Sequence, residues 1–167
     1  MKNIDGIDFK NISFILMDMD GVLSDGSLFY LPDGHVVKIF HAHDGYGITR
    51  GREHGLKFGI ISGKSALVNK YRAQKLKIEE LYEDAEDKVA AYEVIRKKYN
   101  LKPENFSFIG DDVYDLPLLQ TVAFACAPAN AFPEVKDVVH YIAKADGGKG
   151  CVREVIDFIL RRQGKIK

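Results

Sequence analysis

Short apolar runs that stop abruptly at polar residues recur along the chain. The run Ile12-Ser13-Phe14-Ile15-Leu16-Met17 is rich in strand formers and ends at Asp18, which predicts a strand buried on both faces. Four more runs repeat the pattern: 56–61 ends at Ser62-Gly63, 106–109 at Gly110-Asp111-Asp112, 122–127 near Pro128, and 138–143 before a glycine cluster. Between them the spacing predicts helices over about 45–54, closed by Gly55, and over 65–76, 86–99, 113–121 and 151–162. Residues 63–87 leave room for one further short strand. Strand and helix alternate, so the expected fold is α/β: a doubly wound, mostly parallel, Rossmann-like sheet. Ligands of such sheets bind beyond the carboxyl ends of the strands, where Asp18, Ser62 and Asp111 are predicted to lie.

One segment breaks the alternation. Residues 27–40 hold two extended stretches around Leu31-Pro32-Asp33-Gly34, a strong turn signal, and predict a β-hairpin inserted after the first strand. No repeat, low-complexity tract or linker divides the chain, so residues 1–167 are read as one domain closed by a C-terminal helix and tail over about 147–167. Composition agrees: 46% hydrophobic and 29% charged residues exclude disordered and collagen-like classes. Twenty-four basic residues balance 24 acidic ones, so no global field favours nucleic acid or a membrane surface. The opening MKNIDGIDFKN lacks the apolar core of a secretory signal and no run is long enough to span a membrane, so a cytoplasmic chain is expected. In that compartment Cys126 and Cys151 are expected as free thiols.

The most informative feature is Asp18-Met19-Asp20-Gly21-Val22, two carboxylates two residues apart at a strand end. Alone it is weak, since aspartates also cap helices and fill turns. Its company is Ser62 after a second buried strand, Lys88 at a helix start, and Gly110-Asp111-Asp112-Val113-Tyr114-Asp115 after a third. Singly, Lys88 reads equally as a first-turn surface lysine, Ser62 as a helix N-cap and Asp115 as a solvated helix residue. Together and in this order the pieces resemble the haloacid dehalogenase superfamily of phosphotransferases over nearly the whole chain. The resemblance implies Asp18 as nucleophile, Asp20 as general acid and base, Ser62 and Lys88 as the phosphoryl-binding pair, and Asp111 as a magnesium ligand.

Elementary chemistry is compatible with those roles. A carboxylate is already ionised at neutral pH and needs no base before it attacks phosphorus. A phosphomonoester carries about −1.5 to −2 charge at pH 7, so positive charge must be supplied locally. Mg²⁺ takes oxygen ligands, which Asp18, Asp111 and the backbone carbonyl of Asp20 offer. Lys88 would neutralise the phosphoryl oxygens, while the Ser62 hydroxyl and neighbouring N–H groups, Gly63 among them, would position them.

Further stretches resemble one family within that superfamily, the 3-deoxy-D-manno-octulosonate 8-phosphate (KDO 8-phosphate) phosphatases. They are DMDGVLSDG over 18–26, Lys38-Ile39-Phe40 followed by Asp44-Gly45-Tyr46-Gly47-Ile48, Arg72 before Leu76, and Gly147-Gly148-Lys149-Gly150-Cys151-Val152-Arg153-Glu154 with Gln163-Gly164-Lys165. The resemblance implies a sugar-acid phosphate substrate touched by the loop holding His41, Asp44 and Gly45, with Lys64 and Arg72 assisting. It also implies a homotetramer with central hairpins and C-terminal tails reaching a neighbouring active site. No cap domain fits between the motifs. Lys64 stands where these enzymes usually carry Arg, and relatives acting on 2-keto-3-deoxynononate 9-phosphate tend to carry Glu, so a basic residue favours the octulosonate. Cys151 replaces a usual Ala. His41 and His43 read as a polar loop in preference to a metal site, and Asp44 either contacts substrate or caps the helix beginning at Gly45. Readings of other classes are a non-catalytic oligomerisation domain of the same fold and a phosphorylation-switched receiver, whose acidic pair and acceptor come in a different order.

Overall fold

In the computed structural model, which describes residues 2–167, the predicted strands lie side by side. In chain order the elements are β1 (Phe14–Met17), a hairpin of β2 (Phe29–Tyr30) and β3 (Val36–Val37), α1 (Ala42–Glu53), β4 (Lys57–Ile61), α2 (Leu67–Leu76), β5 (Glu80–Tyr82), α3 (Lys88–Lys98), β6 (Phe106–Ile109), α4 (Leu116–Leu119), β7 (Phe124–Ala127), α5 (Pro133–Val138), β8 (Tyr141–Ile142) and α6 (Cys151–Arg162). Six strands form one sheet in the order β5-β4-β1-β6-β7-β8, and each adjacent pair is parallel.

Side chains alternate across a strand, so one sheet builds two cores. Ile15, Met17, Phe58, Ile60, Phe124 and Cys126 face Ile48 of α1, Leu76 of α2 and the apolar stripe of α6. Phe14, Leu16, Phe106, Phe108, Ala125 and Ala127 face Tyr92 and Ile95 of α3, Leu118 and Leu119 of α4, and Val135 of α5. Both strand faces are covered, which is why the runs read as continuously apolar. The chain winds outward from β1 through β4 and β5, then returns to the other side of β1 with β6. That reversal opens a crevice at the carboxyl ends of β1 and β6. Met17 pairs with Ile109, so Asp18 and Gly110 leave the sheet at the same level.

The hairpin pairs Phe29 with Val37 and Tyr30 with Val36, with its turn closed by Gly34 N–H on the Leu31 carbonyl at 2.9 Å. Between β1 and β4 lie only the turn at Met19–Leu23, the hairpin and α1, and between β4 and α3 only α2 and β5, so among the described residues there is no cap domain. Several boundaries differ from expectation, three of them for a reason that can be named. The first strand begins at Phe14 because Phe9–Asn11 forms a 3₁₀ turn that Ile12 closes. The run 138–143 divides between the end of α5, started by Pro133 in its first turn, and a two-residue strand. An apolar run that short does not distinguish helix from strand. Residues 113–121 form a 3₁₀ turn, Val113–Asp115, followed by the single-turn α4.

Candidate active site

Asp18 is the first residue past β1, and its N–H donates to the Ile109 carbonyl at 3.0 Å. The chain then makes one wide turn, Met19–Leu23, closed by Ser24 N–H on the Met19 carbonyl at 2.9 Å. Gly21 has φ +87°, and a β-carbon there would strike the Asp111 carboxylate. Only glycine lets the turns after β1 and β6 approach so closely. On the other side a β-carbon at Gly147 would strike the Gly21 carbonyl, while Gly148 N–H donates to the Val22 carbonyl at 2.8 Å. The loop ahead of α6 therefore lies flush against this turn.

Lys88 opens α3, held there by Asp87, whose carboxylate accepts the N–H of Val89 and Ala90. Its ammonium is buried, 2.9 Å from Asp18 Oδ1 and 2.6 Å from Asp115 Oδ1. Asp115 Oδ2 accepts the N–H of Asp111 at 2.9 Å and of Asp112 at 3.3 Å. Lys88 and Asp115 are thus neither surface lysine nor solvated helix residue. One oxygen each from Asp18, Asp111 and Asp115 lies within 4.8 Å of the others. Three carboxylates face one ammonium, and the excess raises the proton affinity of Asp18 and Asp111. Burial pushes Asp18 up to about 6 against the pull of Lys88, and Asp115 adds to the rise. Burial followed by repulsion from Asp18, Asp115 and Asp112 pushes Asp111 up to about 7. Burial pulls Lys88 down, but Asp18 and Asp115 outweigh it and hold the ammonium charged.

Asp111 Oδ1 is buried with no hydrogen-bond partner, whereas both oxygens of Asp115 are engaged. An orphaned acceptor beside a second carboxylate, in an all-oxygen donor set, fits a hard divalent cation such as Mg²⁺. The Asp20 side chain is outside this group, which leaves its backbone carbonyl as the expected third donor. Asp20 Oδ2 instead accepts from Lys38 Nζ at 2.7 Å and Oδ1 from Ser24 Oγ at 3.0 Å.

A cavity of about 470 Å³ opens over the crevice, lined by Asp18, Asp20, Ser62, Gly63, Lys64, Lys88 and Asp111 among the expected residues, and by Tyr114, Glu86 and Asp112. Ser62 is no helix cap: α2 begins five residues later, and the buried hydroxyl donates to the Lys64 carbonyl at 2.9 Å. Four expected substrate contacts lie elsewhere in the chain. Asp44 is fully buried inside the first turn of α1, which starts at Ala42 and not at Gly45. Its oxygens accept the N–H of Gly150 at 3.1 Å and of Arg153 at 2.9 Å, so it caps α6 and not its own helix. Gly45 packs against Arg72, whose guanidinium donates to the His41 carbonyl at 3.2 Å and covers the Phe40 ring. His41 and His43 meet edge to face. Lys38, Asn69 and Ser24 were given no role by the sequence. A lysine between the apolar pairs Val36-Val37 and Ile39-Phe40 was the available signal for the first. Cys126 and Cys151 are free and buried, as expected.

The model of the haloacid dehalogenase-like hydrolases matches residues 59–155. The 3-deoxy-D-manno-octulosonate 8-phosphate phosphatase of Escherichia coli K12 is 36% identical over 157 residues, 94% of this chain and 84% of the relative. The crystal structure of the phosphatase of that name from Yersinia pestis superposes with a TM-score of 0.91 at 37% identity, covering 94% of this chain and 85% of that one. The Moraxella catarrhalis structure, a complex with magnesium ion, phosphate ion and KDO, gives a TM-score of 0.91 at 33% identity over 93% and 90% of the two chains.

Proposed function

This chain belongs to the 3-deoxy-D-manno-octulosonate 8-phosphate phosphatase family of haloacid dehalogenase-like hydrolases, and from that premise we propose that it is a Mg²⁺-dependent phosphatase releasing the free sugar acid from KDO 8-phosphate. The observation that carries this reading is the convergence of Asp18, Asp20, Ser62, Lys88 and Asp111, from four separate strand and helix ends, on one cavity at the switch point of the sheet.

Asp18 attacks phosphorus, the bond to the sugar oxygen breaks, and Asp20 delivers a proton to that oxygen as it leaves. Water then attacks the aspartyl phosphate, Asp20 takes the proton, and phosphate departs with Asp18 restored. Lys88, already charged and paired to Asp18, faces the phosphoryl oxygens, and the N–H groups of Gly63 and Lys64 with the Ser62 hydroxyl orient them. Asp18, Asp111 and the Asp20 carbonyl would hold Mg²⁺, whose charge would let an anion approach a phosphate dianion. Exposed Lys64 at the cavity mouth is suited to the sugar-acid carboxylate by charge, without the planar fork of an arginine.

The open cavity and the hairpin's exposed Phe29, Tyr30, Leu31 and Ile39 support a homotetramer built on the hairpins. At the end of α6, Gln163 donates to the carbonyls of Phe9 and Ile12, at the sheet end opposite the chain's own cavity. The described tail turns back on its own chain, with Lys165 Nζ on the His54 carbonyl at 2.7 Å and Ile166 against the core, so reaching a neighbouring subunit's site, as this reading has it, requires the tail to detach. A cytoplasmic location completes the reading; among the described residues no helix is long and apolar enough to cross a membrane. The decisive measurement compares kcat/KM for KDO 8-phosphate, 2-keto-3-deoxynononate 9-phosphate and simple sugar phosphates. A preference for the first is expected; a flat profile overturns the substrate, and no hydrolysis with Mg²⁺ present returns the chain to a non-catalytic oligomerisation role.

A further inference from the structure

Just past β3 the chain carries Lys38 from the exposed hairpin into the protein beside the cavity. Its side chain is 2% exposed, and a desolvated ammonium is costly unless matched by an anion and hydrogen-bond acceptors. It meets Asp20 Oδ2 at 2.7 Å and Asn69 Oδ1 at 2.9 Å. The fully buried Asn69 of α2 passes the restraint on: its amide donates to the Lys64 carbonyl at 3.2 Å and to Glu83 Oε1 at 3.0 Å. The same Lys64 carbonyl accepts the Ser62 hydroxyl at 2.9 Å. An unbroken chain of hydrogen bonds therefore joins Asp20 to the loop that would hold the phosphoryl group. With Ser24 Oγ on the second oxygen, the Asp20 carboxylate is restrained at both ends.

We propose that Lys38 is a positioning residue for proton transfer: through Asn69 it fixes the Asp20 carboxyl group in register with the phosphoryl-binding loop, so that acid and leaving oxygen meet in one geometry. This rests on reading Asp20 as the general acid. Lys38 keeps its own proton throughout; the proton that moves goes from Asp20 to the sugar oxygen as the phosphorus–oxygen bond breaks, and returns from water in the second step. A displacement near 1 Å at such a group costs on the order of 100-fold.

The test is single-turnover kinetics with enzyme in excess, comparing KDO 8-phosphate with p-nitrophenyl phosphate, whose leaving group departs as a stable anion without a proton. Lys38→Met is expected to slow the sugar ester about 10- to 100-fold and the aryl ester at least tenfold less. Lys38→Arg is expected to recover most of the sugar-ester rate. Equal losses on both esters overturn the proposal, because Lys38 would then act on phosphate binding or folding alone. Asp20→Asn keeps the two levels apart: if it too fails to discriminate between the esters, the reading of Asp20 falls; if it discriminates and Lys38→Met does not, only the role of Lys38 falls. Should Lys38→Met fail to fold by circular dichroism, Asn69→Ala, which keeps both charges, decides by the same ratio.

Discussion

Asp18 and Asp20 stand two residues apart on one turn, each against a buried lysine, yet their surroundings differ in charge balance. Around Asp18, Lys88 is shared with Asp115 while Asp111 crowds the same space, so anionic charge is in excess. Around Asp20, one carboxylate meets one ammonium, with neutral Asn69 and Ser24 completing the shell. An excess of buried negative charge invites a cation; a balanced pair with fixed hydrogen bonds holds a side chain still. On the proposed mechanism, one turn thus separates a cation-binding, nucleophilic half from a proton-handling half.

The largest effect expected from breaking this contrast is at the nucleophile. Asp18→Asn is expected to abolish turnover, with circular dichroism unchanged, because an amide cannot form the phosphorylated intermediate. Persistent activity would end the mechanism. Next, Lys88→Met should lower kcat by about 10²- to 10³-fold, as loss of one transition-state charge partner does elsewhere. It leaves Asp18 and Asp115 facing each other, so its melting temperature in metal-free buffer should fall as well. Asp115→Asn is expected to cost about 10- to 100-fold in Mg²⁺ activation or kcat, since it orients Lys88 and the Asp111 backbone from behind. An Asp115 variant with a normal Mg²⁺ requirement would remove it from the cation-binding half.

The acidic excess also sets the pH response. Asp18 and Asp111 hold protons up to about 6 and about 7, whereas an unfolded carboxyl group releases them near 3.8. Between those values the native state binds more protons than the unfolded one, so stability falls as pH rises. The metal-free melting temperature should therefore decline between about pH 4 and 7, and saturating Mg²⁺, which replaces the protons, should flatten or reverse the trend. Calorimetry in chelator and in Mg²⁺ reads both slopes. Identical slopes would mean that the carboxylates do not share a cation.

How far this contrast was legible in the sequence depends on whether a residue's role is local. Asp18, Ser62 and Asp111 terminate apolar runs, and a strand buried on both faces announces its own end. Lys88 received its phosphoryl-binding role only through the family resemblance and Asp115 received none, because the two meet each other across 27 residues of chain. Lys38 stood in a stretch that matched the family and between apolar pairs but received no role, since only the hairpin's return to α2 brings it to Asp20. The sheet was legible for the same reason as Asp18, β8 included within the run 138–143, whereas α5 and the short extent of β8 were not: those boundaries turn on packing across β7 and on Pro133, not on periodicity.

Asp44 gives the smallest and most discriminating test. It follows His41 and His43 at the start of α1, in a stretch whose residues suggest a binding site, yet its two oxygens accept N–H groups at the start of α6 and none of it is exposed. Burial holds its carboxyl group above the usual range, and the N–H groups of Arg153 and Gly150 oppose that rise. Its function is then to anchor the Gly147-Gly148-Lys149-Gly150 loop, which in turn lies against the Asp18–Asp20 turn. Asp44→Ala should cost about 1–2 kcal/mol of stability, the loss of a helix cap, and shift KM by less than about twofold. A raised KM at unchanged melting temperature would return Asp44 to the substrate and draw the boundary of the site around α1 as well.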